Sequence, residues 1–423
     1  MARYSRELVA CMILFAIIGA GFAGVSTYDF ALHLDRQVHS ITCSYIPGTE
    51  AKDTTGQSGC FAVMMSPYSS VFRDMVWGGI PIALPGLAVF AYLIFLGLDL
   101  LFTRKRNDPR EMLYAVAATL LPVITSLAYF YIAKVKVGAV CKLCVGIYAA
   151  SAGVFLFALL AYIASRGAKE EVQGGNILGR YVLYFVEGVV FVLVAVFVYL
   201  NFKPVYGAAS TQCGELLKPE DKYAVLFPIK ANPSGLPTIE VVDPLCPVCK
   251  GFRDRLDASG LAPKLDLKGL LFPLDKECNW MVNDSMHPGA CAVSEAIMCV
   301  APDKTVAALN WALDNQAELK KIATEKGSPA LYERLKTQFP ETAECLNKPD
   351  VKTKLNRSLR FAVANAMTVL TPQLYVNGKK LCDEDTDLGL EFSLSRMLSA
   401  PQQAAVPAAA PAAPAQAPAP AKK

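Results

Sequence analysis

Residues 8–28, 80–102, 112–133, 140–164 and 181–200 are five stretches of mostly apolar side chains. Each is about 20 residues long, the length an α-helix needs to cross the hydrocarbon core of a bilayer. Five such stretches in the first half of a 423-residue chain are too many to be core helices of a soluble domain. The first, preceded by Arg3 and Arg6, has the outline of a cleavable leader. Its length and the lack of a clear small-x-small site favour a retained span instead. Hydrophobic residues make up 53% of the chain and charged ones 18%, which is apolar for a soluble protein. A formal charge of +4, with no basic stripe interleaved with aromatics, carries no nucleic-acid signal.

Orientation follows from Lys and Arg near the span ends, which stay on the cytoplasmic side. Arg104, Lys105, Arg106 and Arg110 follow the second span, and Arg166, Lys169 and Arg180 follow the fourth. With Arg3 and Arg6 they outnumber Lys134 and Lys136, which vote the other way. An N-terminus inside and an odd number of spans carry everything after residue 200 to the outside. The loop 29–79 and the start of the fourth span face the same way.

Residues 203–237 read as a connector rich in Pro, Gly and Ala with short elements. From 236 to 398 the pattern is α/β. Residues 238–242 and 265–271 read as strands, and 285–366 are dominated by helical spacing. Residues 374–381 read as a hairpin turning on Asn377-Gly378, and 386–398 as a closing amphipathic helix. Residues 399–423 are Pro/Ala-repetitive and cannot build a core.

Thirteen cysteines point to an oxidising compartment. Three histidines, His33, His39 and His287, make a His-rich metal site improbable, and no metal is expected. There is no Walker loop, no G-x-G-x-x-G and no G-x-S-x-G. Cys141-Lys-Leu-Cys144 opens the fourth span, where a helix N-terminus favours the thiolate of its first cysteine. Redox work is the reading, against two buried packing residues or a zinc site short of ligands. Cys43 and Cys60 sit in the long loop, either as a staple or as a mobile thiol pair that meets the fixed one.

Asp243-Pro-Leu-Cys246-Pro-Val-Cys249 follows the first strand of the soluble half and should start a helix. That is the strand–CxxC–helix order of thioredoxin-like proteins. Cys246 would be the exposed nucleophile of lower pKa and Cys249 the resolving thiol. Thr371-Pro372 resembles the cis-proline that packs beside such a disulfide, with a trans turn as the plain alternative. Cys213, Cys278, Cys291, Cys299, Cys345 and Cys382 carry no motif and read as structural disulfides of undetermined connectivity. Cys11 reads as packing.

Cys43, Cys60, Ser66-Pro-Tyr-Ser, Gly79-Ile-Pro-Ile-Ala-Leu-Pro-Gly86 and Cys141-Lys-Leu-Cys-Val-Gly-Ile-Tyr148 together resemble the vitamin K epoxide reductase family. They are most similar to its bacterial members fused to a thioredoxin-like domain. The Cys43–Cys60 spacing is longer than expected for that family. The resemblance implies a four-helix redox core around a quinone in residues 1–165, and a linking span in 166–205. A connector (206–235), an α/β thioredoxin-like domain with a helical insertion of the disulfide-oxidase type (236–398) and the tail follow. It further implies Cys144 nearest the quinone, Cys141 exchanging with Cys60, Cys43 meeting the thioredoxin-like domain, and Ser66 and Tyr148 near the quinone.

The function that follows is a quinone-linked thiol oxidase of a bacterial cytoplasmic membrane, making disulfides in exported, cysteine-containing proteins. Its partners are those proteins and the membrane quinone pool. The Pro within Cys246–Cys249 leans toward an oxidant. The rivals are a reductase or isomerase running the relay backwards, and a non-enzymatic anchored protein whose disulfides only stabilise it. Vitamin K epoxide itself is not implied as a substrate.

Overall fold

The computed structural model describes residues 2–34, 41–43, 52–53, 58–103, 105–167, 176–203 and 213–399. The Pro/Ala tail, part of the connector, Arg104 and Lys169 lie outside the described residues.

Five helices are long and apolar enough to cross a membrane: α1 (Ala2–His33), α3 (Ala83–Phe102), α4 (Pro109–Ile132), α5 (Lys142–Arg166) and α6 (Ile177–Phe202). A short helix, α2 (Gly59–Met65), lies in the loop between α1 and α3. Two small hairpins accompany it, β1 (Ile41–Thr42) with β2 (Lys52–Asp53) and β3 (Ser70–Val71) with β4 (Ile80–Pro81).

α1 packs against α3 and α5, α4 against α5, and α6 lies outside the bundle against α3. Lipid tails are as apolar as the side chains, so helix association in a membrane depends on close backbone approach at small residues. Gly146 and Gly153, seven residues apart on α5, supply it: a Cβ at either would run into Phe22 or Phe15 of α1. Buried Val9, Met12, Leu93, Leu96, Met112 and Val154 fill the centre of the bundle. α6 leaves Leu193, Phe197 and their neighbours exposed, as a lipid-facing helix would. It is pinned to α4 by Arg180, whose guanidinium lies 2.6 Å from the buried Glu111, and by the Tyr181 hydroxyl donating to the Arg110 carbonyl.

Among the described residues, the Lys and Arg that set the expected orientation gather at one end. Ser5 of α1 donates to the Arg106 carbonyl, and Lys105 donates to the Tyr184 hydroxyl of α6. The helices alternate in direction, so the Cys loop, the start of α5 and the exit of α6 all lie at the opposite end. The third span runs further than its hydropathy suggests, because α4 continues as a π-helical turn through Ala133–Val137 before Gly138 (φ 71°) ends it.

The soluble half is a five-stranded sheet in the order β5-β7-β6-β8-β9. Its strands are β5 (Phe227–Lys230), β6 (Leu236–Val242), β7 (Leu265–Leu271), β8 (Gln373–Val376) and β9 (Lys379–Lys380). β6 and β7 are parallel, joined by α7 (Pro247–Ala258); β8 is antiparallel to β6. Between β7 and β8 come α8 (Ala290–Cys299), α9 (Thr305–Asp314), α10 (Gln316–Gln338) and α11 (Pro349–Ala364). This is the thioredoxin-like layout with its helical insertion. The hairpin turns where expected, with Asn377 (φ 50°) and Gly378 (φ 79°) both left-handed, the geometry that a two-residue turn demands.

Two details differ from the sequence reading. The chain joins the sheet before residue 236: β5 forms an edge strand on β7, and Leu216 N donates to the Gly378 carbonyl. The closing helix α12 (Leu390–Ser399) starts later than residue 386. Asp383–Asp385 first make a 3-10 turn, whose carbonyl at Asp383 accepts from the Thr386 hydroxyl. The six unassigned cysteines pair as Cys213–Cys382, Cys278–Cys291 and Cys299–Cys345.

Candidate active site

Each CxxC begins a helix in the same way. Cys141 is the N-cap of α5, and its Sγ accepts from the Cys144 N–H at 3.3 Å. Cys246 is the N-cap of α7, and its Sγ accepts from the Cys249 N–H at 3.4 Å. A sulfur in that position receives the otherwise unpaired N–H groups and the positive end of the helix dipole, both of which favour a thiolate. Both CxxC pairs are dithiols here, whereas Cys43 and Cys60 are bonded to each other.

Cys43, Cys60 and Cys141 are buried in one cluster with Met65, Trp77 and Leu143, and Cys144 packs against it. The fold thus brings together two thiol pairs that are remote in sequence. Cys60 sits in the first turn of α2, whose N-cap Ser58 accepts from the Phe61 N–H. On the other strand of the loop, Asp29 near the end of α1 accepts from both the N–H and the hydroxyl of Thr42, which holds Cys43 in register. Sequence reading passed over Asp29; a carboxylate near the end of an apolar helix was the available signal.

Around Cys246 the loop is held by the buried Asp243. Its Oδ1 accepts from Leu245 N, and its Oδ2 accepts from Leu274 N and lies 2.8 Å from His287 Nδ1. Gln316 donates to the carbonyls of Pro244 and Cys246. The Thr371–Pro372 bond is cis, and the Cys246 thiol lies 3.6 Å from the Thr371 carbonyl. Burial pushes the Cys246 thiol up. The hydrogen bond from the Cys249 thiol, the His287 charge and the Cys249 N–H outweigh this, bringing it down to about 7. Burial, and then the sulfur of Cys246, push Cys249 well above the ordinary thiol range. That division would suit Cys246 to nucleophilic attack and Cys249 to the part of a reserve thiol. His287 and Asp243 were not singled out in the sequence, although Asp243 adjoins the motif and His287 is one of only three histidines.

Ser66 is buried and caps α2, its hydroxyl donating to the Val63 carbonyl at 2.7 Å. Tyr148 lies one turn beyond Cys144 on α5, hence on the same helix face, with its ring edge-on to Phe130 at 6.1 Å. A half-buried thiol one turn from a phenol, whose ring stacks edge-on with Phe130, is an apolar surface of the chemistry that a quinone ring would fit. Cys11 lies half-buried in α1 without a partner cysteine. Among the described residues, no group of three or more His, Cys, Asp or Glu stands in metal-holding geometry.

The two halves meet at the loop. α2 lies on α7, and a Cβ on Gly251 would stand 3.6 Å from that of Met65. Beside this contact opens a cleft of about 830 Å³, lined among others by Phe61, Tyr68, Pro247, Met286 and Lys320. The whole arrangement is suited to thiol–disulfide exchange: Cys141 and Cys144 share the cluster of the buried disulfide, and the helix that Cys246 caps touches α2, which carries Cys60.

Comparison with known proteins agrees with this chemistry in the membrane half, where residues 10–159 match the model of the vitamin K epoxide reductase family. No curated protein matches the chain. Among solved structures, the oxidoreductase DsbA from Xylella fastidiosa aligns with 20% identity, over 40% of this chain and 90% of that one, at a TM-score of 0.29.

Proposed function

With residues 10–159 matching the vitamin K epoxide reductase family, we propose that the chain is a membrane thiol oxidase that passes electrons from protein thiols to a quinone. The observation that carries this is the burial of the Cys43–Cys60 disulfide in one cluster with Cys141 and Cys144, on a loop that also touches the CxxC helix of the soluble domain.

In this reading a substrate thiolate attacks the Cys246–Cys249 disulfide and leaves oxidised through a mixed disulfide. The resulting dithiol attacks the loop disulfide at Cys43, and Cys249 resolves the bond, so two electrons and two protons pass to Cys43 and Cys60. The Cys60 thiolate then attacks the Cys141–Cys144 disulfide at Cys141, and Cys43 resolves the mixed disulfide, so the loop disulfide re-forms and Cys141 and Cys144 are left as the dithiol. Every protein step is thiol–disulfide exchange, so direction follows the relative reduction potentials. Re-forming the Cys141–Cys144 disulfide releases two electrons and two protons, for which a bound quinone would supply the acceptor. Cys144 and Tyr148 would line its place, with Ser66 at the end of α2 nearby in the loop. Asp243, Gln316 and Thr371 hold the Cys246 loop in the geometry of attack. The basic end of the bundle would face the cytoplasm, with the loop and the soluble domain on the far side.

The test is quinone reduction by the purified protein supplied with a reduced cysteine peptide, comparing wild type with Cys246→Ser. Turnover that collapses in the variant supports the oxidase with entry through the soluble domain. Absence of turnover in wild type gives the reaction to the reductase or isomerase direction, which the reduction potential of the Cys246–Cys249 pair then checks. Equal turnover in both means that the membrane half takes electrons directly.

A further inference from the structure

Arg255 is fully buried, and it is buried against the other half of the chain. It lies on α7, two turns beyond Cys249. Its Nε donates to the Met65 carbonyl at 2.7 Å, and its Nη2 to the Ser66 carbonyl and the Ser69 hydroxyl. Its Nη1 donates to Glu391 of α12 at 3.0 Å. The other oxygen of Glu391 lies 2.6 Å from Arg73 of the loop. The row is therefore Arg73–Glu391–Arg255, with its two outer charges on opposite sides of the contact and the remaining donors of Arg255 turned onto the C-terminal end of α2. The same face carries Asp385, which accepts from Trp77 Nε1 at 3.1 Å, and Asp387, 3.3 Å from His33.

Such a surface has particular energetics. Desolvating an arginine and a glutamate offsets most of what their attraction returns, so a buried ion pair fixes register more than it adds strength. Contacts between domains of one chain resemble transient interfaces, and a tether keeps the effective concentration of the partner high even when intrinsic affinity is modest. A domain that must alternate between two partners needs this combination. Cys246 meanwhile has 3% of its surface exposed in the seated position, too little for an external protein thiolate to reach it.

We propose that Arg255 and Glu391, closing on loop residues Met65, Ser66, Ser69 and Arg73, form a releasable intramolecular docking surface. It seats the redox domain on the cysteine loop for the internal transfer, and the domain leaves it to meet external thiols. This rests on the relay reading above and adds to it the partner surface and its register. α2 carries Cys60 in its first turn and the docking carbonyls at its last, so the latch fixes where the loop disulfide stands relative to α7.

The test uses the full-length protein in detergent or nanodiscs, with Arg255→Gln and Arg73→Gln beside wild type. Amide hydrogen exchange at α2 reads docking without any turnover. Quinone reduction at saturating reduced peptide reads the internal transfer, and reduction of Cys246–Cys249 by peptide without quinone reads the external step. Both variants are expected to lose protection at α2 and at least tenfold in quinone reduction, with peptide exchange no slower than in wild type and the β6 amides still protected. Arg73 lies on the loop, so its variant decides the matter if Arg255→Gln fails to fold. Unchanged α2 protection in Arg73→Gln overturns the proposal, as does unchanged quinone reduction. Loss of α2 protection in the variants with a wild type that never reduces quinone upholds the docking surface and removes the relay.

Discussion

The imidazole of His287 stands 2.8 Å from the carboxylate of Asp243, three residues before Cys246. Asp243 accepts two backbone N–H bonds in addition, so the carboxylate is the charged acceptor and His287 Nδ1 the donor. Burial lowers the imidazole, but the hydrogen bond it donates to Asp243, the charge of that carboxylate and that of Cys246 outweigh this, leaving His287 above its ordinary range. The pair places a cation beside a thiolate in a motif whose inner residues, Pro247 and Val248, supply none.

The pH dependence of the reduced protein follows. A folded-state pKa of about 7 for Cys246 is depressed relative to the unfolded chain. Its stabilising contribution is therefore present above the unfolded thiol value and lost as pH falls through about 7. His287 is raised, so its contribution is full at low pH and lost as pH rises through the folded value. The alkylation rate of Cys246, followed by peptide mass against pH, is expected to show a midpoint near 7 in wild type and a higher one in His287→Gln. An unmoved midpoint in the variant would remove His287 from the electrostatics of the site.

Replacing Cys144 tests the order of the relay. With Cys144→Ser, the Cys141 thiol remains at its helix N-cap with no partner to resolve it. Exchange with the neighbouring loop disulfide then stalls as a Cys60–Cys141 bond. Non-reducing peptide mapping is expected to find that cross-link, together with loss of quinone reduction and retained peptide exchange at Cys246. A cross-link to Cys43 instead would reverse the assigned roles of the loop cysteines.

The bundle depends on the close approach of α1 and α5. Gly153→Val puts a branched side chain where Phe15 sits, and overpacking of this kind costs about 1–3 kcal/mol. A lowered unfolding midpoint in detergent, with the soluble domain unaffected, is the expected result. Full retention of stability would mean that the helices part without loss.

Cys213 and Cys382 are 169 residues apart in sequence and tie the start of the soluble half to the strand-β9 end. Removing a native disulfide typically costs about 2–5 kcal/mol. The double variant Cys213→Ser/Cys382→Ser is expected to unfold at lower denaturant with the Cys246–Cys249 chemistry intact. An unshifted midpoint would show the bond to be dispensable for stability.

Much of this architecture was written in local pattern. The five apolar runs, the CxxC at each helix start and the Asn377-Gly378 turn each need only neighbours in sequence, because helix length, N-cap chemistry and a left-handed turn are set over a few residues. The same holds for the strand pattern of residues 265–271, which β7 matches. What local pattern left open was which distant groups meet. The disulfide partners of the soluble half, the burial of Cys43 and Cys60 against Cys141, and the Asp243–His287 pair depend on chain crossings of tens to hundreds of residues. Arg255 is the plainest case. In sequence it is one charge on an amphipathic helix, to be read as solvated; in the fold it is fully buried, because the loop carbonyls and Glu391 satisfy its donors. Sequence determined the elements and the chemistry of each thiol pair, since those are local. Only the tertiary structure decided how the pairs face one another, since a buried charge or a disulfide needs partners that periodicity does not encode.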